Sequence, residues 1–336
     1  INLVVLNGEK YIRHCLDAIL TQSYPHNLIE VNILDNGSTD NTRSIIANYK
    51  LQITNYKNFN LVESKQNLGM WGGQEELLKH SNGKYVLSMA VDVILDDNFI
   101  NKSVEVMEKD SSIGALAAKL LRFDLERDNV KKTNIIDTCG FQIEKSRRIT
   151  NIGHGEEDRG QYDHLNYIFA VEGAAPFFKR EAMEDIRING EFCDHDFFWY
   201  ADDLDFAWRM NLLGWKQVFV SSVLAWHDRQ TTKNLRKTFS DFLTIRRALP
   251  LHKRRLEWKN IRFTIIKNDY IINILKDLPF VLKRELVMLG YLLIFEPKVL
   301  MEIPNFLRLL PKMIRKRKEI MKKTRISPRE IKRWFL

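Results

Sequence analysis

Apolar positions along the first hundred residues alternate between a strand period and a helix period. Leu3 to Leu6 is a short apolar run. Within Tyr11 to Gln22, Ile12, Leu16, Ile19 and Leu20 then recur at helical spacing until Tyr24-Pro25 breaks the pattern. The same alternation continues with a strand at Val31 to Leu34 and a helix at Asp40 to Tyr49, with Ile45 and Ile46 inward. A strand at Phe59 to Val62 and a helix at Gln74 to His80 follow, the helix stopped by Ser81-Asn82-Gly83. Tyr85 to Met89 is a strand and Phe99 to Glu108 a helix. Strands alternating with helices predict an α/β fold with a mostly parallel sheet and helices on both faces. Residues 110–170 carry no regular period. Arg147 to Asp163 is rich in glycine and charge and reads as a long loop placed over a site. A helical pattern returns at Phe197 to Leu213, and Trp215 to Val220 predicts the last strand, followed by Trp226-His227.

Beyond about residue 230 the pattern changes to helices that are both apolar and basic. Leu278 to Phe295 is apolar but interrupted by Lys283, Arg284 and Glu285, and its longest uncharged run, Leu286 to Phe295, is ten residues. That is about half of what a spanning helix needs. Ile303 to Ile314 carries Phe306, Leu307, Leu309 and Leu310, then runs into Arg315-Lys316-Arg317-Lys318. Charge divides the same way. Residues 1–230 hold 25 Lys+Arg against 34 Asp+Glu, and residues 231–336 hold 27 against 9. The split predicts two parts, 1–230 and 231–336, with different partners. Basic residues beside apolar faces describe helices lying in an anionic membrane interface. The same apolar face would serve a homodimer. The many large aliphatics, and the absence of a recognisable module, argue against nucleic acid as the partner.

The three cysteines, Cys15, Cys139 and Cys193, are far apart and form no CxxC pair, which disfavours a disulfide framework or a zinc site and fits a reducing compartment. No secretory signal is read at the start.

The candidate chemistry sits where predicted strands end, the place where α/β sheets bind ligands. Val31 to Thr42 ends a buried strand in Asp35, Asn36, Gly37, Ser38 and Asp40, and an acid there can accept N–H groups from a base or ribose. Asn67 to Gly73, with Gly69, Gly72 and Gly73, reads as a loop whose backbone approaches a ligand, ahead of a helix N-terminus that favours a diphosphate. Asp92 follows the Tyr85 strand and can hold a divalent metal. His227 is a second candidate ligand. Asp202-Asp203-Leu204-Asp205 places three acids in four positions, more than a helix N-terminus needs, and clustered carboxylates suit a general base.

The order of these motifs resembles the family 2 glycosyltransferases, inverting enzymes of the GT-A (nucleotide-diphospho-sugar transferase) fold, and in particular their rhamnosyltransferase-like branch. The resemblance covers about residues 1–230. Val4-Val5-Leu6-Asn7 looks like the family's start, and Asp35 matches its base-contacting position. The stretch from Asn67 to Gly73 resembles its donor-side loop. Ala90-Val91-Asp92 falls at its metal motif and Glu172-Gly173-Ala174-Ala175 at its acceptor-side segment. Phe197 to Arg209 looks like its catalytic helix, which implies Asp203 as the base with Asp202 beside it. Four positions depart from the pattern. Ala90 replaces an acidic or amide residue, Asp202 stands where Glu is usual, and Met70-Trp71 is bulkier than the common pair.

The resemblance implies transfer from a nucleotide-sugar donor, dTDP-rhamnose or a UDP-sugar, to a glycan or lipid-linked acceptor in bacterial surface polysaccharide synthesis. Asn7, Asp35, Asn36, Asn67, Gly69, Gly72, Gly73, Asp92, Gly173 and Ala174 would bind the donor. Asp92 and His227 would hold Mg2+ or Mn2+. The expected location is cytoplasmic, peripheral on the inner face of the membrane. Two rivals remain at this level: a non-catalytic membrane-surface module with a degenerate nucleotide fold, favoured by Ala90, and a nucleotidyltransferase of similar fold.

Overall fold

The computed structural model describes residues 1–50, 56, 58–127, 129–229 and 239–336. The first part runs β1 (Asn2–Val5), α1 (Ile12–Leu20), β2 (Glu30–Asp35), α2 (Thr42–Lys50), β3 (Asn58–Glu63), α3 (Met70–Leu78), β4 (Tyr85–Ala90), β5 (Val93–Leu95) and α4 (Phe99–Lys109). Then follow β6 (Ile113–Glu126), β7 (Asn129–Thr138), β8 (Phe141–Ile143), β9 (Ile149–Asn151), β10 (Phe177–Lys179), α5 (Arg180–Asp185), α6 (Asp202–Leu212) and β11 (Lys216–His227). Among the described residues, nine strands form one sheet in the order β3-β2-β1-β4-β10-β6-β11-β5, with β7 on β6. The β3-β2-β1-β4 half is parallel. β10 enters antiparallel between β4 and β6, while β6 and β11 run parallel.

The strand period explains this packing. Leu3 and Val5 point into one core with Ile33 and Met89, while Val4 and Leu34 face α3 through Leu77 on the other side. All six residues of β2 are buried, as a central parallel strand requires. Helix α3 begins at Met70, so Gly72 and Gly73 are helical rather than part of a ligand loop. A Cβ at Gly73 would come within 2.9 Å of both Val4 and Leu34, so this glycine lets the helix pack close on the sheet. The region that lacked a period holds two long antiparallel strands, β6 and β7.

Among the described residues after β11, seven helical segments follow: α7 (Phe239–Ala248), α8 (Leu251–Asn268), α9 (Ile271–Lys276), α10 (Leu278–Phe295), a 3-10 turn at Pro297–Glu302, α11 (Ile303–Lys323) and α12 (Pro328–Lys332). The expected boundary at 230/231 lies outside the described residues. On either side of it the chain feeds one core: Phe263, Met313, Ile320, Ile331 and Phe335 join Phe192, Phe206 and Trp208. Buried ion pairs reinforce the junction. Lys267 Nζ meets Asp194 at 2.5 Å and Asp205 at 2.8 Å. Lys316 meets Asp194 at 2.7 Å.

The expected loop over the site is anchored instead. Arg147, fully buried, donates to Asp269 at 2.7 Å and Asp277 at 2.8 Å, tying the start of that segment to the C-terminal helices. Helix α10 is the exception to good packing. Only Leu292 of its eighteen residues is buried, and Leu286, Val287 and Ile294 are 67%, 65% and 73% exposed. Among the described residues, no helix is long and apolar enough to cross a membrane.

Candidate active site

The ends of β1, β2, β4, β5 and β11 and the start of α6 gather the predicted residues into two groups. The first surrounds the turn after β2. Asp35 is fully buried; its Oδ1 accepts the Ser38 N–H at 3.1 Å and its Oδ2 is paired with Arg43. Asn36 donates to Asn67 Oδ1 at 3.0 Å and to the Gly69 carbonyl at 3.2 Å, and accepts from the Leu68 N–H at 2.8 Å. Asn67 in turn accepts the Gly69 N–H at 2.8 Å. Asn7, at φ +49°, accepts the Thr39 N–H at 2.8 Å and stitches the end of β1 to the same turn. Gly69 has φ +77°, and a Cβ there would fall 2.4 Å from the Phe198 carbonyl, so only glycine fits.

The second group forms where Asp92 is followed at once by β5. That short strand pairs antiparallel with β11 in the register Val93 to His227, which sets Asp92 beside His227. Asp92 Oδ2 lies 3.5 Å from His227 Nε2. His227 Nδ1 is 2.9 Å from Asp137, which also accepts from Arg229 at 2.7 Å. Arg229 reaches on to Glu172 at 2.8 Å. Burial opposes charge on Asp92, but His227 outweighs it and holds the carboxyl below its ordinary pKa. Burial likewise opposes charge on His227, yet Asp92 and the bond to Asp137 push it up to about 10. A histidine anchored through one nitrogen on a carboxylate, with the other nitrogen facing a second carboxylate, has the form of a metal ligand. A hard divalent cation takes one or two protein ligands and completes its shell with phosphate oxygens and water, so Asp92 and His227 fit Mg2+ or Mn2+.

The three acids at the start of α6 have different fates. Asp203 is half-buried, and its Oδ1 accepts the Leu204 N–H at 2.9 Å. Burial first, then the charge of Glu172, raises its pKa to about 7. Gly173 leaves the space beside it, since a Cβ there would sit 3.3 Å from Asp203 Oδ2 and 3.4 Å from Trp71. Ala174, buried, accepts the Ala90 N–H through its carbonyl at 2.9 Å. Asp202 points inward: it is 3% exposed, its Oδ2 has no partner, and burial together with Asp203 and Asp205 drives its pKa well up. Asp202, the second catalytic candidate, is thus more deeply buried than Asp203. Asp205 is an anchor, bound to Arg209 at 3.0 Å and Lys267 at 2.8 Å.

A third cluster, Glu75, Cys193 and His195, also brings metal-ligand atoms together. A thiol does not suit Mg2+ or Mn2+. The Glu75 oxygens already accept from Arg187 at 2.8 Å, the Phe192 N–H at 3.0 Å and Cys193 at 3.2 Å, with His195 at 2.9 Å, so the cluster acts as a structural hub.

Sequence reasoning missed Asp137 and Arg229. Arg229 had a signal in the charged Trp226-His227-Asp228-Arg229 tail of β11. Asp137 had none, because it reaches His227 across 90 positions.

A sheet of this order, with a carboxylate–histidine pair and a raised carboxyl at its strand ends, defines an α/β enzyme of the GT-A type. Residues 1–186 match the family Glycosyl transferase family 2, and the chain belongs to it. Among curated proteins it is similar to poly-beta-1,6-N-acetyl-D-glucosamine synthase of Staphylococcus epidermidis, 22% identical over 224 residues, 67% of this chain and 48% of that protein. It is also similar to the poly(ribitol-phosphate) beta-N-acetylglucosaminyltransferase of Staphylococcus aureus, 32% identical over 97 residues, 29% of this chain and 15% of that protein. The chain thus spans about half the length or less of these relatives. A mannosyltransferase from Pyrobaculum calidifontis, in complex with GDP-Man and Mn2+, shares the fold with a TM-score of 0.53 at 17% identity, covering 96% of this chain and 84% of that one.

Proposed function

We propose that the protein transfers a sugar with inversion from a nucleoside-diphosphate sugar to a glycan or lipid-linked acceptor in bacterial surface-polysaccharide assembly. The observation that carries this reading is Asp203, a half-buried carboxyl raised to about 7 beside Glu172 and against Gly173, whose neighbour Ala174 accepts the Ala90 N–H. A base near neutral pKa is what removal of a hydroxyl proton at physiological pH calls for. The acceptor oxygen attacks the anomeric carbon, the bond from that carbon to the diphosphate oxygen breaks, and the hydroxyl proton passes to Asp203. Asp35, Asn36 and the Asn67 to Gly69 loop bind the nucleoside. Mg2+ or Mn2+, held by Asp92 and His227, would supply Lewis-acid neutralisation of the leaving diphosphate. The similarity to poly-beta-1,6-N-acetyl-D-glucosamine synthase, to the poly(ribitol-phosphate) beta-N-acetylglucosaminyltransferase and to the mannosyltransferase bound to GDP-Man supports a nucleotide-linked donor and a polymeric acceptor, and the donor here is proposed as a UDP- or dTDP-sugar, including a deoxyhexose.

A panel of nucleoside diphosphates and nucleotide sugars, with and without Mn2+, tests the reading by thermal shift. One nucleotide should stabilise the protein, with metal adding to the effect in the wild type and not in Asp92→Ala. No stabilisation by any nucleotide would favour the non-catalytic module. Release of nucleoside diphosphate, rather than diphosphate exchange, would separate glycosyl transfer from nucleotidyl transfer.

The exposed apolar residues of α9 and α10, set among the excess positive charge after residue 230, support peripheral attachment to the anionic inner face of the cell membrane. Because the C-terminal helices share the core, the test is surface substitution rather than truncation. Leu286→Glu with Ile294→Glu should abolish flotation with anionic vesicles while leaving donor hydrolysis intact. If the variant still floats but a wild-type dimer is lost in ultracentrifugation, the face is a homodimer interface instead.

A further inference from the structure

The chain leading into α6 is bent in an unfavourable way. Phe198, Tyr200 and Ala201 have φ of +64°, +70° and +63°, the left-handed region that residues with a Cβ rarely adopt. Ala201 is the residue before the helix, and no side chain caps it. The surroundings must therefore hold this turn.

One side chain does most of that. Asn260 of α8, fully buried, shares its two Nδ2 hydrogens among three carbonyls of the turn: Phe197 at 3.1 Å, Trp199 at 2.7 Å and Tyr200 at 2.9 Å. Three carbonyl oxygens around one nitrogen also fix which way the amide faces, since the flipped form would set oxygen against oxygen. Neighbours on α8 assist: Lys259 Nζ reaches the Asp196 carbonyl at 3.1 Å, and Lys253 lies 3.5 Å over the Trp199 ring. The turn touches both halves of the site. Its Phe198 carbonyl abuts Gly69 of the donor loop, and its last residue leads straight into Asp202 and Asp203.

We infer that Asn260 is a positioning residue for the base: by holding the left-handed turn, it sets the direction of Asp203 relative to the donor loop. The inference rests on the reading of Asp203 as the base. Its energetic logic is that proton transfer is sensitive to small misplacements, whereas nucleotide binding at Asp35 and Asn67 is built from other elements.

The experiment compares wild type, Asn260→Ala, Asn260→Asp and Asp203→Asn in donor turnover. Asn260→Asp keeps the volume but turns an acceptor toward three acceptors. Both Asn260 variants should lower kcat by about 10- to 100-fold, keep the donor KM within about threefold, and displace the acid limb of the pH profile. Adding Ala201→Gly to Asn260→Ala should recover part of kcat, because glycine adopts the left-handed conformation without help. Hydrogen exchange of the amides of residues 198–203 should quicken in Asn260→Ala while the β1–β4 amides stay protected. Unchanged kcat, or a loss that follows only the folded fraction with an unmoved acid limb, would overturn the inference, as would unchanged exchange in the turn. Wild-type turnover in Asp203→Asn would instead overturn the base assignment. The exchange result then still decides whether Asn260 holds the turn.

Discussion

The donor side and the base side of this site are built in different ways. The turn after β2 is closed by partners near in the fold's first repeat: Asn36 to Asn67, Asn7 to Thr39, Arg43 to Asp35. Each comes from the end of one of the three adjacent parallel strands or from the helix that follows it. The base side is held from far along the chain. Asp205 is bound by Lys267 and Asn268, and the turn before Asp203 by Asn260, at separations of about 60 positions. The helices that looked like a separate membrane part are also the frame of α6, the helix that carries Asp203.

That difference is also what decided how much could be read from the sequence. Strands β1, β2 and β4 end where their apolar runs end, so Asp35 and Asp92 were legible from local pattern. Helix α10 matches its apolar run, Leu278 to Phe295, residue for residue. The strand β6 was not legible, because Gly-Ala-Leu-Ala-Ala-Lys-Leu-Leu is composed mostly of good helix formers. Pairing with β7, β10 and β11 overrides that preference. The buried pairs of Arg147 with Asp269 and Asp277 turned an expected loop into an anchor, and no local signal announces a partner more than 100 residues away. The three acids of α6 were visible as a cluster, but which one faces the site depends on Glu172, Arg209 and Lys267.

The largest expected effect separates the two sides outright. Asp203→Asn should lower turnover by about 10²- to 10⁴-fold while nucleotide binding persists. In the wild type, kcat should fall as pH drops through about 7, the value to which burial and Glu172 raise Asp203. The same substitution carries a stability signature. A carboxyl raised in the folded state costs stability above its unfolded pKa, and the cost grows until pH passes the folded value. Asp203→Asn should therefore be more stable than wild type at pH 8, by about 1–3 kcal/mol, with the gain shrinking between pH 7 and 4. A variant that is inactive but also destabilised at pH 8 would mean that the carboxylate is structural.

Breaking the long-range frame comes next. Lys267→Met leaves Asp194 and Asp205 buried without their shared cation and should cost about 3–5 kcal/mol in denaturant unfolding. Both parts should unfold in one transition. Two transitions, with the catalytic part unaffected, would restore the picture of independent parts at 1–230 and 231–336. Asp137→Asn is a smaller change. It keeps the volume but weakens the hold on His227 Nδ1, and should reduce Mn2+ affinity, measured by titration calorimetry with nucleoside diphosphate present, by about 10- to 100-fold. Unchanged affinity would remove His227 from the metal site and leave Asp92 alone.

The smallest effect probes the donor side. Arg43 is substantially exposed and pairs with the one carboxylate expected to meet the nucleotide base. Asp35 Oδ1 is already engaged by the Ser38 N–H, so Arg43 and an incoming base N–H compete for Oδ2. Removing Arg43 costs the fold some stability, because it leaves Asp35 Oδ2 buried without that partner. It also frees Oδ2 without moving β2, whose six residues are buried on all sides. Arg43→Ala should therefore leave turnover unchanged and tighten nucleoside-diphosphate binding by a small factor, about two- to fivefold. A tenfold loss of affinity would reverse the roles: Arg43 would then be the group that meets the nucleotide, with Asp35 only its support. The donor side would then depend, like the base side, on a residue that no strand-end pattern picks out.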